Sequence, residues 1–262
     1  MSWLEALILG IIQGLTEFLP VSSSGHLELG KHILGVEFKE TLTFTVVVHG
    51  ATVLSTIIIF WKTLLELIRD FFKFQWNDST KYIMKIFISM IPVLIAGLFF
   101  KEQIEGFFTG DILFVGTMLL VTALLLAFTY YAKERQKNIS YKDSFIIGIA
   151  QMLAVLPGIS RSGTTIATGL YLGNKKEYVT KFSFLMVLIP IIGANVKDLM
   201  DSNISFASSV ETTPLLVGFL AAFISGLIAC KWMIKIVKQG KLIYFAIYCF
   251  VVGSIAIISS FL

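Results

Sequence analysis

The chain has 262 residues, of which 56% are hydrophobic and only 15% are charged. Soluble domains are about half apolar and about a quarter charged, so the composition excludes an ordinary soluble protein. The net charge of +4 is too small to indicate a nucleic-acid-binding protein. A single core cannot bury this apolar surplus, and we therefore predict a multi-spanning membrane protein that forms one domain over residues 1–262.

The first residues, Met1 to Glu5, include no basic side chain, so they do not have the pattern of a signal peptide, and we expect them in the mature protein. Cys230 and Cys249 lie in different apolar segments. Their positions indicate neither a disulfide framework nor a zinc site.

Two apolar segments are interrupted by Pro, Gly and Ser, and we predict that each is a re-entrant helical hairpin, over 3–34 and 143–173. Such breaks are tolerated in a membrane only where the backbone is buried in protein or lines a polar cavity. Uninterrupted apolar runs of about 20 residues can cross the bilayer as helices. Six runs have this length: 41–61, 82–100, 111–131, 179–199, 214–234 and 242–262. The predicted fold is an all-α membrane bundle of six transmembrane helices and two re-entrant hairpins.

The connections 62–81, 132–142 and 235–241 contain most of the Lys and Arg residues outside the apolar segments. Because cytoplasmic loops are enriched in these residues, we predict that the three connections are cytoplasmic and that both termini are outside. The aromatic and basic stretch 62–81 is expected at the headgroups.

An internal repeat relates the two halves of the chain at an offset of 138 residues. Gly10–Gln13 aligns with Gly148–Gln151, and the SSSG run from Ser22 aligns with the SRSG run from Ser160. Each hairpin is followed by three spans, which gives repeat one over 1–131 and repeat two over 139–262. An odd number of spans inverts the second copy, and such repeats place polar sites at their interface. We therefore expect the two Ser-rich bends to converge.

Polar side chains cluster at both bends, and ionisable groups within membranes are usually functional. Gln13 and Glu17 are four residues apart and share a helix face. A desolvated Glu17 could act as a general base for Ser23, or it could hold a divalent cation that bridges to phosphate. Arg161 can bind two phosphate oxygens, and backbone amides after the breaks form an anion site. The predicted phosphate-binding set is Gln13, Ser22, Ser24, Gly25, Gln151, Ser160, Ser162, Gly163, Thr164 and Thr165.

The runs QGLTEFLPVSSSGH (13–26) and PGISRSG (157–163) resemble the two signature motifs of the undecaprenyl-diphosphate phosphatase family, also called bacitracin-resistance proteins. The resemblance covers the whole chain. It implies hydrolysis of undecaprenyl diphosphate at the outer face of the bacterial plasma membrane, which recycles the lipid carrier of cell-wall synthesis. It also implies bacitracin resistance and a divalent cation, Mg²⁺ or Ca²⁺. A homodimer is compatible with it.

The same resemblance assigns catalytic roles to Glu17, Ser23, His26 and Arg161. In this family the nucleophile is assigned either to the serine or to the histidine, and we favour Ser23 because it aligns with Arg161. Gln13 replaces the first acidic residue of the family's motif, so Glu17 is expected to act as the only carboxylate of the pair.

Three alternatives remain at this stage. Ser22 and Ser24 could cap the following helix rather than contact substrate. His49 is interpreted as a packing or pocket-wall residue, and His32 as an interface residue. A transporter or flippase of a polyprenyl phosphate is the alternative function, because inverted repeats with broken helices also occur in transporters.

Overall fold

The structure is a computed structural model that describes residues 1–36, 42–133, 136–201 and 212–261. These residues are helical and include no β-strand. Arg135 and most of the connection 200–213 lie outside the described residues, so the loop predictions there are not assessed. The helices are α1 Trp3–Phe18, α2 Ser23–Leu34, α3 Leu42–Ile59, α4 Trp61–Phe71, α5 Asp78–Phe99, α6 Lys101–Glu105, α7 Ile112–Phe128, α8 Tyr141–Leu153, α9 Arg161–Tyr171, α10 Lys176–Met186, α11 Leu188–Asp201, α12 Thr212–Lys238 and α13 Ile243–Ser259.

The two interrupted segments begin with the same local structure. Ser2 caps α1 and exchanges hydrogen bonds with Glu5 three residues later, and Ser140 forms the same capping box with Asp143 at the start of α8. A capping box satisfies N–H groups that the first turn of a helix leaves unpaired. Ser2 and Ser140 are separated by the 138-residue offset of the sequence repeat, so the correspondence extends to helix capping.

Four helical segments are long and apolar enough to cross a membrane: Asp78–Phe99, Ile112–Tyr131, Lys176–Lys197 and Thr212–Lys238. A fifth candidate consists of Thr43–Ile59 and Trp61–Phe71, which are bent by 76° at Phe60. The shorter apolar helix Ile243–Ser259 covers most of the sixth predicted span. The described residues therefore form an all-helical multi-pass membrane protein with four or five candidate spans.

The two interrupted segments pack against helices from the opposite half of the sequence. α1 lies along α12, and α8 lies along α5. Glycines permit the close approach, because a methyl group on Gly10 would meet the carbonyl oxygen of Gly218, and one on Gly148 would meet that of Ser89. Small residues at helix interfaces are typical of membrane proteins. This reciprocal packing holds the bends of both interrupted segments in the interior of the bundle.

Candidate active site

Two short bends interrupt the hairpins where the sequence predicts helix breaks. α1 ends at Phe18 and α2 begins at Ser23, whereas α8 ends at Leu153 and α9 begins at Arg161. Ser22 caps α2 by accepting a hydrogen bond from the Gly25 N–H at 3.2 Å, and Ser160 caps α9 through the Gly163 N–H at 3.1 Å. Capping is therefore a role that the structure gives to Ser22. The remaining amide groups of each first turn provide partial positive charge.

The two bends are in direct contact, as the sequence predicts. Ser162 Oγ donates to the Leu19 carbonyl at 3.2 Å, which joins the second bend to the first. The backbones at Gly25 and Gly158 are so close that a Cβ atom on Gly25 would lie 3.0 Å from the Gly158 Cα. The start of α2 and the start of α9 therefore meet in the interior of the molecule.

Glu17 is the centre of the polar cluster at this junction. Its Oε1 accepts a hydrogen bond from Arg161 Nη2 at 2.5 Å, and its Oε2 accepts one from Ser23 Oγ at 2.7 Å. Gln13 Nε2 donates to the same Oε2 at 3.1 Å. The Glu17 side chain is only 8% exposed, and buried charges require such partners. Glu17 thus accepts hydrogen bonds from a hydroxyl group of the first half of the chain and from the guanidinium group of the second half.

The Arg161 side chain is held in place by α10, the helix that follows α9. Its Nη1 donates to the Ser183 carbonyl of α10 at 3.4 Å. Thr165 donates to the Arg161 carbonyl at 2.9 Å, and its hydroxyl lies 2.7 Å from the Ser183 hydroxyl. Ser183 is a residue that the sequence analysis missed, because it belongs to no motif and its relation to Arg161 depends on packing.

A cavity of about 500 Å³ opens on one side of this cluster. Glu17, Ser23 and Arg161 line it, and about half of the lining residues are apolar, among them Val93 of α5 and Ile191 of α11. A charged headgroup with an attached hydrocarbon chain matches such a combination of surfaces. The lining residues are Glu17, Ser23, Ser24, Leu27, Glu28, Lys31, Thr45, Val46, His49, Val93, Phe108, Gln151, Ala154, Val155, Arg161, Val187, Pro190, Ile191, Ala194 and Asn195.

His49 forms part of the cavity wall, in agreement with its interpretation from the sequence. Its Nε2 lies 3.9 Å from Glu17 Oε2, and its Nδ1 is 2.9 Å from the Thr45 carbonyl oxygen. Its proximity to Glu17 was not anticipated. The available signal was the recurrence of Thr45, His49, Thr52 and Thr56 along one face of a largely apolar helix.

His26 lies beside the cavity rather than in its wall. Its Nδ1 is 2.8 Å from the Ser22 carbonyl oxygen, and its Nε2 is 2.9 Å from the Tyr248 hydroxyl of α13. The two rings are stacked with centroids 5.5 Å apart. The structure thus brings Glu17, Ser23 and Arg161 together and directs His26 toward α13.

The other predicted residues divide into two groups. Ser24 and Gln151 line the cavity with the catalytic candidates, and both polar atoms of the Gln151 side chain are buried without a hydrogen-bond partner among the described residues. The remainder are buried at the junction of the bends: Gln13, Ser22, Gly25, Ser160, Ser162, Gly163, Thr164 and Thr165.

No group of three His, Cys, Asp or Glu side chains that could hold a metal occurs within the described ranges. A hydroxyl beside a carboxylate, with a guanidinium fixed on the same carboxylate, can bind a phosphate and activate a nucleophile. The arrangement is therefore suited to phosphoryl transfer to Ser23 or to water.

Comparison with known proteins agrees with this chemistry. A protein named undecaprenyl-diphosphatase from Bacteroides fragilis is 58% identical over 263 residues, which cover 99% of each chain. One from Parabacteroides distasonis is 58% identical over 260 residues and 98% of each chain, and one from Methanosphaera stadtmanae is 39% identical over 279 residues and 98% of each chain.

The family model of the bacitracin resistance protein BacA matches residues 6–255, which include both bends and every residue of the polar cluster. Together with relatives of similar length that align from end to end, this match shows that the chain belongs to the BacA bacitracin resistance protein family.

Proposed function

We propose that this protein hydrolyses undecaprenyl diphosphate to undecaprenyl phosphate and inorganic phosphate. The observation that carries the proposal is the contact of Glu17 with both Ser23 and Arg161 at the end of a largely apolar cavity. The name undecaprenyl-diphosphatase of the relatives supports the same reaction. A transporter or flippase has no need of a hydroxyl hydrogen-bonded to a carboxylate, and this alternative is not favoured.

In the proposed reaction the prenyl chain occupies the apolar part of the cavity and the terminal phosphate lies between Ser23 and Arg161. Ser23 Oγ gives its proton to Glu17 as it attacks the terminal phosphorus. The P–O bond to the bridging oxygen breaks, and undecaprenyl phosphate leaves. Water then attacks the phosphoserine and Glu17 returns its proton to the departing Ser23 Oγ, which releases inorganic phosphate and restores both the hydroxyl and the carboxylate. Arg161 stabilises the negative charge of the transferring group.

His26 is proposed to assist proton transfer or to orient the bend that carries Ser23. The contact of His26 Nδ1 with the Ser22 carbonyl oxygen supports the orienting role. Proton transfer would require His26 Nε2 to leave the Tyr248 hydroxyl for another proton donor. The alternative nucleophile is His26 itself. Because Ser23 rather than His26 lines the cavity, the geometry favours Ser23.

We also propose a divalent cation, Mg²⁺ or Ca²⁺, that enters with the substrate. Mg²⁺ is commonly held by one or two carboxylates together with substrate phosphates rather than by a protein cage. Glu17 fits as the single carboxylate, although both of its oxygens already accept protein hydrogen bonds, one of which would open. When bound, the cation would neutralise charge on the phosphates.

The finer topology is likewise a proposal: six transmembrane helices and two re-entrant hairpins related by an inverted repeat. The reciprocal packing of α1 on α12 and α8 on α5 supports it, as do the matching capping boxes at Ser2 and Ser140. The basic connections favour a cavity that opens to the exterior of the bacterial plasma membrane. There the reaction would recycle the lipid carrier and confer bacitracin resistance. A homodimer is proposed as well, and light scattering of the detergent-solubilised protein tests it.

The test of the reaction is release of inorganic phosphate from a long-chain prenyl diphosphate by the purified protein in detergent, with Mg²⁺ or Ca²⁺ and with a chelator. We expect release that depends on the cation. ³²P from a terminally labelled substrate should be trapped on Ser23 in an acid quench. Inversion of configuration at phosphorus would exclude the phosphoserine, and absence of any release would refute the proposed function.

A further inference from the structure

A buried lysine lies on the wall of the same cavity, outside the cluster around Glu17. Lys31 is 6% exposed and belongs to the last turn of α2. Ser24, Leu27, Glu28 and Lys31 all line the cavity. Their spacing of three, four and seven residues places them on one face of the helix. The helix that starts at the catalytic serine thus continues along the cavity and presents a lysine to it.

The contacts of Lys31 connect it to the polar cluster through α3. Its Nζ donates to Thr45 Oγ1 at 3.3 Å. The Thr45 carbonyl oxygen is 2.9 Å from His49 Nδ1, and His49 Nε2 is 3.9 Å from Glu17 Oε2. Thr45 and His49 are one helical turn apart, about 6 Å along the axis. Side chains also lean toward the start of their helix, which brings the Lys31 stem nearer to Ser23.

Lys31 carries its charge at a buried position on the cavity wall. A lysine in a last helical turn interacts favourably with the helix dipole, but an exposed side chain does so as well. Moving an ammonium group out of water is costly unless negative charge compensates it. Glu28, 4% exposed and on the same face, supplies one negative charge. An ammonium group on a cavity wall is also a favourable contact for an anion that enters the cavity.

The proposed substrate has two phosphates, and the contacts around Glu17 account for only the terminal one. The second phosphate is joined to the first through a single oxygen atom, so its binding group must lie within about one helical turn. We propose that Lys31 binds this prenyl-linked phosphate and makes the cavity selective for diphosphates over monophosphates. The inference rests on the proposed function, and it assigns a substrate contact outside both sequence motifs. A compact ammonium suits a single phosphate as a point charge.

The test compares two probes, inorganic diphosphate and inorganic phosphate, bound to the full-length protein in detergent at constant Mg²⁺. Lys31→Met keeps the length of the buried stem and removes the charge. We expect it to weaken diphosphate binding about 10- to 100-fold, as for loss of a charge-assisted hydrogen bond, and to change phosphate binding less than about twofold. Equal effects on both probes, or no effect on diphosphate, would overturn the proposal.

Lys31→Arg and Thr45→Val keep the inference testable if Lys31→Met does not fold. The arginine variant should retain most of the preference for diphosphate. Removal of the Thr45 hydroxyl should weaken diphosphate binding a few-fold and leave phosphate binding intact. The matched control is Lys73→Met, since Lys73, in the connection between α4 and α5, pairs with Asp70 of α4 and does not line the cavity.

The outcomes distinguish this inference from the proposed function. If the unmodified protein releases phosphate from prenyl diphosphate but Lys31→Met binds diphosphate normally, only the role of Lys31 is wrong. If the unmodified protein releases none, the proposed function fails, whereas selective loss of diphosphate binding in Lys31→Met would still identify the second phosphate subsite.

Discussion

Arg161 Nη2 lies 2.5 Å from Glu17 Oε1, although 144 residues of chain separate the two. The pair is largely buried, with 16% and 8% of the side chains exposed. Loss of one partner from a buried pair typically costs about 3–5 kcal/mol, because it leaves the other charge uncompensated. This contact joins the two interrupted segments as well as the two halves of the candidate site.

The first prediction concerns this pair. Arg161→Met and Glu17→Gln should each lower the thermal unfolding temperature in detergent, and the double variant should lower it by less than the sum. Lys73→Met, which breaks an exposed ion pair with Asp70, should change it little. Additive effects of the two buried substitutions would show that the charges do not interact.

Ser23→Ala should reduce kcat for phosphate release by about 10³-fold or more, because it removes the proposed nucleophile from Glu17. Ser24→Ala is the matched control on the same turn. Its hydroxyl contacts Ser22 Oγ at 3.3 Å and makes no contact with Glu17, so its effect should stay within about tenfold. Similar losses for both variants would argue against Ser23 as the nucleophile.

His49→Gln should lower kcat about tenfold, which corresponds to about 1.4 kcal/mol of transition-state stabilisation. The reason is its position 3.9 Å from the carboxylate that is proposed to accept the serine proton. His32→Gln, at an exposed position near the end of α2, should have no effect on kcat. If His49→Gln leaves kcat unchanged, His49 has only a packing role.

Tyr248→Phe removes the hydroxyl that contacts His26 Nε2 and preserves the ring that stacks on it. The partner of one imidazole nitrogen sets the protonation of the other. We therefore expect a lower kcat, by about tenfold, and an altered pH–rate profile without loss of stability. If both are unchanged, His26 acts independently of α13.

Thr122→Val should destabilise the second bend. Thr122 Oγ1 donates to the Gly158 carbonyl at 3.1 Å and accepts from the Ser160 N–H at 3.0 Å. A buried backbone group that loses its partner costs about 1–3 kcal/mol. Thr117→Val on the same helix removes only a contact to the Leu113 carbonyl and serves as control. Equal unfolding temperatures for the two variants would contradict this assignment.

The sequence predicted the parts of the site that depend on local chemistry and on the repeat. Pro20, Pro157 and the serines mark the bends, and the 138-residue offset correctly pairs the segments that meet. Glu17 and Arg161 were recognisable because a charge in an apolar segment requires a partner. These features are encoded by residue type and spacing, so they required no knowledge of packing.

Other features depend on tertiary packing and leave little trace in composition. The bend at Phe60 interrupts an apolar segment without a proline at the break. The contacts of Ser183 with Arg161 and of Tyr248 with His26 join residues that share no motif. Such pairings follow from how helices lie against one another, which hydropathy does not specify.

The separation of Glu17 and Arg161 also affects biosynthesis. At about 5–20 residues per second, the ribosome adds the guanidinium roughly 7–30 s after the carboxylate that it neutralises. The nascent amino-terminal half therefore enters the membrane with an uncompensated acidic group. We expect it to remain near the translocon until the later half arrives.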